Sequence, residues 1–327
     1  MRKNTILPVL LLLFLTNGLF AQIPILGIPY PDTLNKKRTK WVIGCESAVV
    51  ITTMSALYTA WYKDYSTGVF HWKDDNPEWM YMDKLGHFTT STYIGKYTYE
   101  FNRHAGISET NSILISGGIS MVYMNAIELM DGYSKGWGFS TGDLIANTSG
   151  TALFVGQQFL WHEQRFLLKM GYHSSDIRNT FLQNPDYKVF YQKDSIPLGK
   201  IYKTRFGTNA MENFLKDYNG QTYWLSANIA SFLPEGIQFP KWLNIAIGTG
   251  AGGMQGAKSD DAQVIADFHL HPRYRQYYFS LDVDFTRIKT KSKVLSLLFH
   301  SIGYLKFPFP TLEYNQYDGI KFHALFF

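Results

Sequence analysis

The chain has 327 residues and a formal charge of +5, with aromatic and charged residues at 17% each. Charged residues usually make up about 25% of a soluble domain, so this chain has apolar surface to spare, for a large core or for a membrane. The positive charge is too mild to point to nucleic acid, and a single Cys excludes an internal disulfide.

Residues 1–21, "MRKNTILPVLLLLFLTNGLFA", read as a cleaved secretory leader: Arg2 and Lys3 start it, Ile6 to Leu15 form the apolar stretch, and Ala21 is small enough for cleavage. The other reading is an uncleaved anchor, but the apolar run is short for crossing about 30 Å of hydrocarbon. Removing Arg2 and Lys3 takes the charge from +5 to +3. No Cys follows the apolar run closely, so a lipid-anchored N-terminus is not expected. Cys45 lies further on and reads as a small buried apolar residue.

Residues 38–175 read as helices. The first covers 39–65, and the segment 66–82 then turns at Asn76-Pro77. A second helix is expected over about 82–103, a third over about 110–130 and a fourth over about 141–169. They are only moderately apolar, and Gly117, Gly118, Ser120, Gly150 and Gly156 suit helices packed closely on each other. Residues 183–220 look irregular, with one short helix within 207–220. The period then becomes two, and strands are expected at 222–233, 242–254, 274–288, 297–307 and 319–327. In the third of these, Tyr278, Ser280, Asp282 and Asp284 would face one way and Phe279, Leu281, Val283 and Phe285 the other. The fold class is therefore α+β. It comprises an N-terminal antiparallel helical bundle of about four helices (22–180), an irregular connection (181–221) and a C-terminal antiparallel β-sheet or partial barrel (222–327).

Polar residues recur near the ends of three helices. In "DKLGH", Asp83 and His87 are four apart and share a helix face, with Lys84 beside them. "ELMDG" places Glu128 and Asp131 near the end of the third helix, which Gly132 closes. "STGDLIAN" opens the fourth helix, with Ser140 or Thr141 as cap and Asp143 and Asn147 on one face. Antiparallel packing brings these three ends to the same side. Burying any of these groups alone would cost several kcal/mol, so convergence with mutual hydrogen bonds is the economical arrangement.

"DKLGH", "ELMDGYS" with "WGFS", and "DLIANTSG", in that order, resemble the YfiM-like family of predicted periplasmic proteins, domain of unknown function 2279. They are more distantly similar to the VanZ membrane-protein family, with its Asp-Lys-x-x-His, Glu and Asp-x-x-x-Asn pattern. The resemblance covers about residues 80–160. It carries over Asp83, Lys84, His87, Glu128, Asp131, Asp143 and Asn147, and no established reaction. VanZ resemblance implies the cell envelope and glycopeptide tolerance.

Two readings of the cluster stand. In one it is a structural or ligand-binding polar network formed with Asp83, Lys84 and Asn147. In the other His87, Glu128, Asp131 and Asp143 do acid–base or metal-assisted chemistry on a lipid-linked or cell-wall substrate. A His among carboxylates suits a divalent metal such as Zn, Mn or Mg, although no His-Glu-x-x-His occurs. "GTGAGG" (248–253) mimics a dinucleotide loop but lacks a following apolar helix, and His162-Glu163 reads as a solvated helix end. The expectation is an exported protein of the periplasm or outer membrane of a Gram-negative-like bacterium. Its partners would be membrane lipid or an envelope component, and no nucleic acid.

Overall fold

The computed structural model describes residues 24–25, 27–63, 68–191, 194–208, 210–234, 236–258 and 271–327. The expected leader, 1–21, lies outside them.

Helix α1 runs Lys36–Leu57, with the Asn35 side chain accepting from the Arg38 N–H at 2.9 Å. A short 3₁₀ turn, Glu78–Tyr81, leads into α2, Met82–His104. Helix α3, Glu109–Gly132, is capped by Ser108, and α4, Thr141–Trp161, by Ser140. Short connections make α2, α3 and α4 antiparallel neighbours. The start of α2, the end of α3 and the start of α4 therefore lie at one end of the bundle.

Hydroxyls and glycines hold these three helices together alongside a small apolar cluster of Tyr99, Ile113 and Phe154. Ser120 Oγ donates to the Ser91 carbonyl at 2.6 Å and pairs with Thr151 Oγ1 at 2.9 Å. Thr92 Oγ1 donates to the Gly150 carbonyl at 2.9 Å. A Cβ at Gly150 would overlap the Phe88 carbonyl and the Ser91 hydroxyl, so α2 and α4 touch there backbone to backbone. Gly117 packs against Val155, whereas Gly118 and Gly156 face open space and are not contact points.

Helix α4 stops at Trp161, where His162 takes a left-handed conformation (φ 57°), and does not continue to Lys169 as expected. The residues beyond become strand β1, Phe166–Tyr172. The chain changes period here because Lys169 is fully buried with its Nζ 2.9 Å from Asp282 Oδ2, a cross-sheet ion pair. Helix α5, Asp176–Gln183, the hairpin β2, Lys188–Tyr191, and β3, Asp194–Pro197, with α6, Leu198–Phe206, give order to the stretch read as irregular, and α7, Ala210–Lys216, is the short helix expected within 207–220. Ile177, Phe181, Leu198, Ile201, Tyr202 and Phe206 form its apolar core.

Strands β4, Gln221–Asn228, β5, Leu243–Gly252, and β6, Tyr274–Val283, fall where alternation placed them. The expected strand 297–307 is mostly helix α8, Lys293–Ile302. Ser292 caps it, and Ser296 and His300, one turn apart, are its buried face. Strand β7, Phe309–Asn315, follows, and β8, Gly319–Phe326, ends the sheet. The order is β1-β4-β5-β6-β7-β8, antiparallel throughout.

The polarity of this sheet is inverted relative to a soluble protein. In β6, Tyr278, Ser280 and Asp282 are buried while Tyr277, Phe279 and Leu281 are exposed. In β5, Asn244 and Ala246 point inward and Ile245 and Ile247 outward, and in β7 Glu313 and Asn315 are buried while Leu312 and Tyr314 are exposed. Inside, Asp282 also accepts from Ser226 Oγ at 2.7 Å and sits 3.8 Å from Lys306 Nζ. Glu163, read as a solvated helix end, is buried between Arg165 (2.9 Å) and Arg287 (3.0 Å). Buried charges of this kind persist only when paired. Helix α1 has no buried residue, and Cys45 on it is exposed, contrary to expectation.

The α2–α4 contact yields a direct test. Gly150→Ala is expected to lower stability by about 1–3 kcal/mol, because backbone must move. Gly118→Ala, in open space on a helix, is expected to raise it by about 0.5–1 kcal/mol. Denaturant unfolding of the two variants beside the parent measures both.

Candidate functional site

Tyr81 hands the chain from the 3₁₀ turn to α2, so Asp83 and Lys84 occupy the first helical turn and His87 the second. A carboxylate is favoured at that positive helix end. Lys84 Nζ lies 2.7 Å from Asp75 Oδ1, 2.8 Å from Asp143 Oδ1 and 3.3 Å from Asp83 Oδ2, and hydrogen-bonds Asp143 Oδ2 at 2.9 Å. One ammonium thus joins the loop before α2, α2 itself and the start of α4. Ser140, which caps α4 by accepting from the Asp143 N–H at 3.2 Å, also donates to Asp75 Oδ1 at 2.5 Å.

His87 sits a turn deeper. Its Nδ1 is 3.1 Å from Asn147 Oδ1 and 3.4 Å from Glu128 Oε1, and its Nε2 is 3.9 Å from both Asp83 Oδ1 and Asp143 Oδ1. Glu128 is fully buried and its Oε2 accepts from the Ser140 N–H at 3.4 Å. Asp131 turns aside to accept from Tyr62 Oη at 2.8 Å. Asp83 accepts from Tyr218 Oη at 2.7 Å. The structure therefore brings Asp83, Lys84, His87, Glu128, Asp143 and Asn147 into direct contact, with Asp131 on the flank. Reading along the chain overlooked Asp75, Tyr62 and Tyr218. Asp75 carried a signal in "DDNP", a turn just ahead of the helix, whereas Tyr218 is 135 residues from Asp83 and carried none.

Five carboxyls face one lysine and one histidine, and burial together with neighbouring charge raises the proton affinities of Glu128, Asp131 and Asp143. Burial pushes Glu128 up to about 8 and Asp131 to about 7. Burial and the neighbouring Asp83 raise Asp143 to about 6. Burial works against the His87 cation, but Asp83, Asp143 and Glu128 together raise it to about 9. Burial likewise opposes ionisation of Asp83, yet His87 and Lys84 hold it below its ordinary value. The group can therefore hold and pass protons near neutral pH.

Asp83, His87 and Asp143 offer ligand atoms within 4.8 Å of one another, a spacing that suits a metal ion. The Lys84 ammonium already lies among two of these carboxylates and supplies a positive charge there. "GTGAGG" lies on β5 and its end, between antiparallel β4 and β6, without the crossover helix a dinucleotide loop requires. A second cavity, of about 350 Å³, opens at the other end of the β6 and β7 interior. There His323 Nε2 lies 2.7 Å from Glu313 Oε2, and Gln276 and Asn315 each donate to Glu313 Oε1 at 2.9 Å. Period-two alternation was the only signal for this group, since it puts Gln276 and Glu313 on the inward face.

Fold and site together define an α+β protein built on a helical module with a buried His/carboxylate cluster. Residues 71–157 of it match the family model of domain of unknown function 2279, described as a predicted periplasmic lipoprotein. That segment contains every residue of the cluster read from the sequence, and the family's description agrees with an exported, periplasmic chain. No curated protein and no solved structure matches.

The shifted groups set a pH response. Below pH 6.5 the lowered His104 and His173 oppose the cluster, and above about 8 Lys306, lowered by burial, does so too. Between these limits the folded state binds more protons than the unfolded one, through His87 (6.5 raised to about 9) and Glu128 (4.5 raised to about 8). Stability then falls as pH rises. Unfolding at pH 6.5 and pH 8 is expected to show the loss, and Glu128→Gln to reduce it.

Proposed function

We propose that this is an exported, membrane-associated envelope protein whose helical module binds a polar group of an envelope component in the cluster around His87. One observation carries the binding reading. Asn147 Nδ2, a donor, is buried and makes no hydrogen bond among the described residues, and Glu128 Oε1, an acceptor, is buried with the His87 Nδ1 at 3.4 Å and no closer donor among them. A purely structural network would satisfy them, because a buried unpaired polar atom costs about 1–3 kcal/mol. A ligand that presents a donor to one and an acceptor to the other completes the site.

Membrane association is supported by the outward apolar rows of β5, β6 and β7 and by α1, which buries nothing. By length and composition α1 and α3 are also apolar enough to cross a membrane. Contiguous exposed apolar surface of this extent marks a partner or lipid surface. The outer membrane and its periplasmic leaflet are the natural site for such an exported chain.

A second reading, acid–base catalysis on a lipid-linked or cell-wall substrate, is favoured by the proton affinities of Glu128, Asp131 and Asp143, between about 6 and about 8, with His87 near 9. Groups poised near the working pH transfer protons best. A divalent metal on Asp83, His87 and Asp143 is the other form this reading takes.

Binding sites are built at the expense of stability. Glu128→Gln and Asp131→Asn, melted at pH 8, are therefore expected to match or exceed the parent in Tm. A loss of several kcal/mol in both would instead mean a structural network and overturn the binding reading. Cell fractionation and vesicle flotation are expected to place the protein with membranes, and full recovery in the soluble periplasmic fraction would overturn that part.

A further inference from the structure

The cluster is buried, but Lys84 also lines an open groove of about 410 Å³ between α2, α4 and the outer face of β5 and β6. That volume is in the range of small-molecule sites, about 300–1,000 Å³. Its walls are Tyr81, Leu85, Phe88, Ala146 and Tyr277. Tyr277 belongs to the outward row of β6, so the groove continues into the exposed apolar surface of the sheet.

The second cation of the groove, Arg275, differs from several of the deeply placed cations, although buried Lys96 likewise has no carboxylate within ion-pair distance among the described residues. Lys169, Arg165 and Arg287 each face a carboxylate within 3.0 Å. The Arg275 guanidinium instead donates to the Met80 carbonyl and touches Met82 Sδ at 3.2 Å, and no carboxylate meets it among the described residues. It is only partly exposed and sits against apolar walls. A cation so placed lacks the counter-charge that ordinarily accompanies burial.

The backbone supplies an independent observation. Trp79, Met80 and Tyr81 are three consecutive non-glycine residues with left-handed φ, at 48°, 51° and 63°. Such residues are strained and persist where the surroundings over-determine them. Here Trp79 is clamped by Tyr218 and Phe206, with ring centroids at 5.3 and 6.2 Å, and its N–H donates to the Ala257 carbonyl at 2.8 Å. The strained turn puts Tyr81 on the groove wall and directs the Met80 carbonyl at Arg275.

We infer that this groove binds the phosphate-bearing head of a membrane lipid, with Arg275 on the phosphate and the hydrocarbon along Leu85, Phe88 and Tyr277. A guanidinium fork is a standard phosphate partner. The inference rests on the membrane-association reading and specifies the envelope component: the lipid lies with its head at Arg275, in the groove that Lys84 also lines.

The test uses the full chain in neutral detergent, titrated calorimetrically with dioleoyl phosphatidic acid in mixed micelles. Dioleoylglycerol, which lacks the phosphate, and inorganic phosphate, which lacks the chains, are titrated in parallel. Phosphatidic acid is expected to bind, and the other two to bind at least about tenfold more weakly, the value of one charge-assisted hydrogen bond. Arg275→Gln is expected to lose about tenfold and Arg275→Lys less. Tyr277→Ala, at an exposed wall position, weakens binding without touching the turn and carries the test should Arg275→Gln not fold. Equal binding of phosphatidic acid and dioleoylglycerol, equal binding of inorganic phosphate, or unchanged affinity in both Arg275→Lys and Tyr277→Ala overturns the inference. Flotation on phosphatidylcholine vesicles reads membrane association separately. If the parent and Arg275→Lys float equally while phosphatidic acid fails to bind, the groove assignment fails and the membrane reading stands.

Discussion

A single ammonium group organises the functional end of this protein. Lys84 stands between Asp75, Asp83 and Asp143, at 2.7, 3.3 and 2.8 Å. Without it, three carboxylates from a loop and two helix starts would repel one another in a setting of low effective dielectric. With it, the start of α4 is tied to the start of α2, and His87 and Glu128 are brought to 3.4 Å. The antiparallel run of α2, α3 and α4 makes this meeting possible, and the tight Gly150 crossing sets how closely it is made.

The same logic of polar interior and apolar exterior extends to the sheet. Asp282 between Lys169 and Lys306, and Glu163 between Arg165 and Arg287, are interior charges of β1 and β6 and of the segments beside them. Burying ions is expensive and is tolerated when each has its partner. The outward rows carry Ile247, Phe279, Leu312 and Phe322. Such a distribution supports the membrane association proposed above. Helical module and sheet thus share one solvent preference, and the groove at Arg275 lies where their outer surfaces meet.

The cluster and the groove differ in electrical character. Around His87 the carboxyls outnumber the cations; burial raises Glu128 and Asp131 toward neutrality, and the neighbouring carboxylates raise His87 to about 9. At Arg275 a cation stands without a carboxylate among the described residues. Lys84 belongs to both, so an anion in the groove and the protonation of the carboxylates are electrostatically linked through it. This gives the strained turn at Trp79–Tyr81 a role, since it shapes the boundary between the two.

Much was legible along the chain where information is local. Helix periodicity, the Ser140 cap and the i, i+4 spacing of Asp83 with His87 depend on neighbours within one turn, and they give α2, α3 and most of α4. Alternation gave β4, β5, β6 and β8 for the same reason. Local pattern misread the segment after Trp161 and the segment 293–302. A strand at Lys169 is chosen by Asp282, more than a hundred residues away, and a helix at Ser296 and His300 by what covers their shared face. Which row of β6 faces inward, that Asp75 and Tyr218 join the cluster, and that Arg275 meets no carboxylate among the described residues depend on distances between segments remote in the chain. Periodicity reports the contrast between two faces of an element; which face is buried, and beside which charge, is set by packing and its electrostatics.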